Sequence, residues 1–260
     1  MLQHRITSRN RTVAIAFGSA CHILFVLGVG TMMAAMFFGM SRCLGRLGAP
    51  WGVLADALLL MQFPVLHSVL LSRQGRLWIS GLAPFGLGGR LSTTIYATIA
   101  SVQVGLLFAL WTPSGIVWWQ AQGLALTLLC ILYAASWILL LKSIVDAGFP
   151  LQVGLLGWWA VACGRAPVYP PMPRQGLFRL CRQPIYLAFA LTLWTVPTLT
   201  PDQLCVALVL TAYCVLGPVF KEARFNRVFG AEFADYRRSV PYFLPRFRPP
   251  RPDRTGGPRR

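Results

Sequence analysis

Long apolar runs separated by short polar or basic breaks organise this chain. Four runs, at about 13–40, 51–71, 92–111 and 122–142, meet the length needed to cross a hydrocarbon layer. A helix rises ~1.5 Å per residue and needs about 20 apolar residues to do so. Two shorter runs, about 184–200 and 203–220, flank Thr200-Pro201-Asp202. Proline cannot continue a helix ladder and aspartate caps a helix start, so these runs read as a tight helical hairpin. Its first arm is short and carries Pro197. Lipid offers no hydrogen-bond partner to a backbone, which leaves helices or closed barrels. The continuous runs lack the alternation of a barrel strand. The expectation is an all-α, polytopic transmembrane helix bundle of about six spans, forming one domain over 1–245. A basic Pro/Arg-rich, disordered cytoplasmic tail at 246–260 is expected to follow.

Residues 143–183 form the longest stretch without a clear span. Its apolar piece, Leu151 to Cys163, contains Trp158-Trp159 and suits an interfacial helix. At the other end of the chain, Arg5, Arg9 and Arg11 precede the apolar stretch from Val13 to about Met40. That stretch is longer than a signal-peptide core and no small-residue cleavage site follows it, so it reads as a retained first span.

Composition agrees with lipid as the solvent: 56% of residues are hydrophobic, 12% charged, and mean hydropathy is +0.59. Soluble domains carry about 25% charged residues. The net charge of +17 does not point to nucleic acid, because the basic residues flank apolar runs or lie in the tail. There they set orientation and attract anionic lipid headgroups. With the N-terminus inside, every lysine and arginine except Arg42 and Arg46 falls on the inner side. Both termini are therefore expected in the cytoplasm. The seven cysteines are odd in number and form no CxxC pair, and the three histidines are scattered. Neither a disulfide framework nor a metal site is expected.

This orientation puts the start of the fifth run, the end of the sixth and the inner end of the second at one depth. Arg182-Gln183-Pro184-Ile185-Tyr186 enters the fifth run from inside, and Glu222 lies where the sixth leaves. Arg182 is able to hold a carboxylate or phosphate by two hydrogen bonds. It also reads as a basic anchor before an ordinary proline helix start. Glu222 suits a cationic ligand group or Arg182, and equally a surface pair with Arg224 or Arg227. His67 sits within a span, where ionisable groups are functional candidates by default, although a lone histidine is more often a packing group. Asp56 lies three turns earlier on the same face, too far from His67 to pair with it. His22 reads as packing. Gly86-Leu87-Gly88-Gly89 has no preceding strand and does not make a dinucleotide loop.

Arg182-Gln183-Pro184-Ile185-Tyr186-Leu187 resembles the Arg-His-Pro-x-Tyr-x-Gly signature of the isoprenylcysteine carboxyl methyltransferase and phospholipid methyltransferase family. Glu222, Phe229-Gly230, Tyr236, Val240-Pro241 and Pro245 follow the closing pattern of that family. Leu66-His67-Ser68, Ser92-Thr93-Thr94-Ile95-Tyr96, Leu110-Trp111-Thr112-Pro113 and Trp194 to Thr200 resemble its methanethiol S-methyltransferase branch, and the related NnrU proteins share part of this pattern. The resemblance runs from about Gln62 to Pro245. It implies a SAM-dependent methyltransferase, with S-adenosylmethionine held at the cytoplasmic face and a small thiol or lipid-like acceptor arriving from the membrane. Carried over, Arg182, Gln183, Pro184, Tyr186 and Glu222 line the cofactor site, with Arg182 and Glu222 in catalytic roles. His67 is a candidate on the substrate side, and Arg182 is a candidate for favouring a thiolate.

Two positions depart from the signature. Gln183 stands in place of histidine and does not titrate near neutral pH, and Ala188 stands in place of glycine. The first departure keeps open a non-enzymatic, NnrU-type protein supporting nitrogen-oxide metabolism. A lipid or sterol reductase of related architecture would bind NADPH, for which the sequence carries no motif.

Overall fold

The computed structural model describes residues 6–246, and the expected tail lies outside the described residues except for Arg246. The described residues form an all-helical bundle with one pair of two-residue strands. Five helices are long and apolar enough to cross a membrane: α1 (Ser8–Phe37), α2 (Trp51–Leu70), α4 (Gly88–Leu110), α5 (Gly123–Asp146) and α9 (Pro201–Phe229). Short helices link them: α3 (Arg73–Gly81), α6 (Phe149–Gln152), α7 (Leu155–Ala162), α8 (Pro184–Trp194) and α10 (Ala231–Ser239). The chain is an integral membrane protein. Accordingly, Ile23, Val26 and Leu27 on α1, and Ile131, Leu132 and Ile138 on α5, point outward and are exposed.

The centre of the bundle is α4, which packs against α1, α2, α3 and α7. Small residues allow the approach. A methyl group added at Gly28 of α1 would lie 2.5 Å from the Ser101 carbonyl oxygen of α4. Helices in lipid gain no hydrophobic drive from meeting, so close backbone packing takes its place. Polar glue supplements it. Gln62 and Gln103 exchange side-chain and backbone hydrogen bonds of 2.9–3.0 Å between α2 and α4. The Trp158 ring packs over Gly18 and donates from Nε1 to His22 Nε2 at 3.0 Å, binding α7 to α1. The expected interfacial segment is thus a helix seated against two spans, with Trp159 exposed beside it.

The run expected over 184–200 is helical only to Trp194. Thr198–Leu199 (β2) is extended and pairs antiparallel with Trp119–Gln120 (β1). The reason is local: Pro197 offers no N–H, and its neighbours Val196 and Thr198 are β-branched. Backbone released from a helix at this depth needs partners inside the protein. Trp118 N–H donates to the Leu199 carbonyl and Ala121 N–H to the Pro197 carbonyl. Gln203 Nε2 donates to the Leu193 carbonyl at 2.6 Å. Thr200 caps α9 through Gln203 N–H and donates to the Gly39 carbonyl at 2.6 Å. On the same end, Asp202 accepts from Trp111 Nε1 and from the backbone and hydroxyl of Ser114. Asp56 accepts from Thr112 N–H at 2.9 Å. Both aspartates therefore serve the loop after α4.

Gly28→Ala is expected to force α1 and α4 apart and cost about 1–3 kcal/mol, the usual range for overpacking. Gly30, with nothing within 4 Å of an added methyl, is the control, and Gly30→Ala should be neutral or slightly stabilising. Thermal unfolding of the two variants in detergent, followed by circular dichroism, measures the difference.

Candidate functional site

The end of the bundle opposite the strand pair gathers the start of α8, the last turns of α9, α10 and the segment after it. A 3₁₀ turn over Gly176–Arg179 leads in. Gly176 has φ +58°, and a methyl group there would lie 2.2 Å from Asp146 Oδ2, which accepts from Leu177 N–H at 2.8 Å. The following residues pair with the segment after α10: Arg182 N–H donates to the Pro241 carbonyl and Arg246 N–H to the Leu180 carbonyl. Pro184 then opens α8 at its first position, where its missing N–H leaves no bond unmade.

This geometry aims Arg182 at Glu222. Its Nε donates to Oε1 at 2.8 Å and its Nη2 to Oε2 at 3.2 Å. Its Nη1 donates to the carbonyls of Arg237 (2.8 Å) and Val240 (3.0 Å). Glu222 accepts a third bond from Gln183 Nε2 at 2.8 Å, and Gln183 Oε1 accepts from Lys221 Nζ at 3.1 Å. The Arg182 and Glu222 side chains are 10% and 13% exposed, and Gln183 is buried. The surface pair of Glu222 with Arg224 or Arg227 is not formed. Ala188, where the signature has glycine, is fully buried.

Lys221 points its ammonium group among three rings, 5.4 Å from the Phe225 centroid, 5.6 Å from Tyr186 and 5.7 Å from Phe178. Cations are attracted to such ring faces. On the other face of α9 a cleft of about 240 Å³ is lined by Val219, Glu222, Ala223, Asn226 and Arg237. Burial raises the Cys181 thiol above its ordinary range, despite the opposing effects of Gln183 N–H and Lys221. A thiol so shifted stays protonated at neutral pH. Tyr236, raised chiefly by burial, donates to the Phe178 carbonyl at 2.7 Å and holds the 3₁₀ turn.

His67 lies on α2, apart from the ion pair, with its ring centroid 4.9 Å from Tyr96, 5.1 Å from Phe63 and 6.4 Å from Tyr213. Its Nδ1 is buried and has no hydrogen-bond partner among the described residues. Arg224 lies within electrostatic reach of His67, Tyr96, Tyr186 and Tyr213, and this links the His67 group to the signature segment. The sequence reading did not single out Tyr213 or Lys221, and treated Arg224 only as a surface partner. One signal was available: Tyr213, Gly217, Lys221 and Arg224 recur at helical spacing on one face of α9.

No family model and no solved structure matches the chain. It is 30% identical over 198 residues to methanethiol S-methyltransferase 2 of Bradyrhizobium diazoefficiens, covering 75% of this chain and 73% of that protein. The chain belongs to the methanethiol S-methyltransferase family. A second methanethiol S-methyltransferase, from Mycobacterium tuberculosis, is 29% identical over 250 residues, 90% of this chain and 97% of the other. Nurim of Rattus norvegicus is 30% identical over 167 residues, 61% and 62% of the two chains. The resemblance read from the signature residues is borne out by these methanethiol S-methyltransferase relatives.

Breaking the ion pair on one side strands a largely enclosed charge, which typically costs 3–5 kcal/mol. Glu222→Leu and Arg182→Leu should each be destabilised by about 3 kcal/mol, the low end of that range because the pair retains some solvent contact. The double variant should lose far less than the sum of the two. Chemical denaturation of the four proteins gives the coupling energy directly.

Proposed function

We propose that this protein is a membrane methyltransferase that carries a methyl group from S-adenosylmethionine to a small thiol, at the end of the bundle facing the cytoplasm. The observation that carries the reading is the junction of Arg182, Gln183 and Glu222, in a chain of the methanethiol S-methyltransferase family. The groups around Glu222 suit this cofactor. Glu222 suits the cofactor's ammonium, and the rings of Tyr186, Phe178 and Phe225, which surround the Lys221 cation on the face of α9 that carries Arg224, suit a positive sulfur. Pro184 fixes the chain entry that presents Tyr186 to this region.

When bound, the cofactor supplies an electrophilic methyl carbon on a sulfonium that is already a good leaving group. The protein therefore has to align donor and acceptor and exclude water. Arg182 contributes through position. Its donors are engaged by Glu222 and two carbonyls, so it orients the carboxylate and anchors the segment after α10. Gln183 explains its own departure from the signature. A neutral histidine offers one donor and one acceptor, and the Gln183 amide does the same, donating to Glu222 and accepting from Lys221. That arrangement supports a hydrogen-bonding role for the position, which does not require titration.

Labelled S-adenosylmethionine is expected to bind the purified protein at micromolar level and to be lost in Glu222→Ala, and no binding at millimolar cofactor would reject the reading. Gln183→His should retain methyl transfer to methanethiol within about tenfold. Gln183→Leu, which leaves Glu222 and Lys221 each short of a partner, should lose about 10- to 100-fold, the equivalent of 1–3 kcal/mol. Initial rates on the detergent-purified variants compare them.

A further inference from the structure

The junction of Arg182, Gln183 and Glu222 contains no group to receive the proton that a thiol must shed. Arg182 is a cation with four of its five N–H donors engaged, Gln183 does not titrate, and burial keeps the nearby Cys181 a thiol. A second cluster at the same end is unused. On α2, the His67 imidazole lies against Tyr96 of α4 and Tyr213 of α9, while Ser68 lies beside Tyr213. Arg224, one turn beyond Lys221, is close enough to interact with His67, Tyr96, Tyr213 and Tyr186 of α8. It forms no ion pair among the described residues. Two features here lack partners. His67 Nδ1 is buried and bonded to nothing among the described residues, and leaving such a group unsatisfied costs about 1–3 kcal/mol. Arg224 is a partly buried cation without a carboxylate. A small group that brings a proton to donate and becomes an anion on giving it up satisfies both.

We propose that His67 takes the proton of the acceptor thiol and that Arg224 holds the thiolate so formed, between α2 and α9 under Tyr96 and Tyr213. This rests on the methyltransferase reading above. The S–H bond breaks and its proton goes to Nδ1 of the neutral imidazole. The sulfur electron pair forms the new S–CH₃ bond as the methyl–sulfonium bond breaks toward the donor sulfur, and the imidazolium then returns its proton to water. The surroundings of His67 favour a compact, apolar alkanethiol. The rings of Phe63, Tyr96 and Tyr213 lie around His67, and among the described residues no carboxylate acts on it that would recognise a charged thiol. The ionisable groups around His67 are Tyr96 on α4 and Tyr213 and Arg224 on α9, with Tyr186 of α8 and Arg76 of α3 within electrostatic reach of Arg224.

The test compares two thiols in H67Q, R224Q and the unaltered protein. Removing a general base costs about 10²- to 10⁴-fold. For an alkanethiol near neutral pH, H67Q is expected to lower kcat/KM at least 100-fold, with recovery as pH rises and thiolate forms unaided. For an arenethiol already ionised at the assay pH, the loss should stay below about tenfold, because no proton needs a base. R224Q, which removes the cation, should impair both thiols. Labelled donor should bind H67Q as it binds the unaltered protein, and equilibrium dialysis of labelled alkanethiol with donor-free protein should show several-fold weaker binding in both variants. Equal losses on the two thiols with donor binding intact, or undiminished thiol binding in both variants, would overturn the assignment of His67. Failure of the unaltered protein to bind donor would overturn the methyltransferase reading and this proposal with it.

Discussion

The ion pair between Arg182 and Glu222 joins pieces of chain forty residues apart, where α8 begins, α9 nears its end and α10 stops. Its net energy is modest, because desolvating two charges offsets most of their attraction. Its constraint is not modest, because either charge alone in that setting is costly. The pair thereby fixes the first turn of α8 against the last turns of α9. Through the Arg237 and Val240 carbonyls, it also fixes the end of α10. Glu222 then turns one edge toward the cleft, while Lys221 and Arg224 project elsewhere on α9, the first among aromatic rings and the second toward α2 and α4. One carboxylate thus sets the directions in which two cations are presented.

The two ends of the bundle answer the same demand for hydrogen-bond partners in different ways. At the end bearing the strands, Thr200, Asp202, Gln203 and Asp56 are all engaged with backbone or with Trp111 and Ser114, and nothing there is left without a partner except Gln203 Oε1 among the buried side-chain atoms. That end reads as an anchor. At the other end, a buried imidazole nitrogen has no hydrogen-bond partner and Arg224 no ion pair among the described residues. Native structures retain few such groups, and each calls for an explanation. The contrast locates chemistry without reference to any motif.

The spans were legible because lipid imposes a run length that few other constraints produce, and α2, α4 and α5 start and stop close to their apolar runs. The break in the run from 184 was legible only in part. Pro197 announced an interruption, but the pairing that stabilises it comes from Trp118–Ala121, a loop with no strand signature. The candidate site divides in the same way. Arg182 and Glu222 stood out as charges at helix ends, and His67 as a titratable group inside a span. Tyr213 and Tyr96 did not, because a helix in lipid is apolar on every side. The contrast between buried and exposed faces that marks a core face in water is absent there. Arg224 was misjudged for a related reason: a basic residue just beyond a span normally sets orientation, and only the fold shows this one turned inward.

Glutamine at the signature position bears on where the proton goes. If the family histidine carried the proton, a chain with Gln183 would have lost an essential step. Yet the amide occupies its place with both functions engaged, donating to an anion and accepting from a cation, which is the bonding pattern a neutral imidazole would make. An imidazole so bonded would itself be poorly placed to accept a further proton, since its acceptor nitrogen would already face an ammonium group. The substitution is then conservative in the property that counts, and proton transfer has to belong to another element. Among the described residues, His22 already accepts from Trp158 Nε1, which leaves the imidazole on α2 as the one with a buried ring nitrogen unpaired. In the proposed mechanism the signature segment and α2 divide the work, one ordering the carboxylate assigned to the donor and the other receiving what the acceptor gives up.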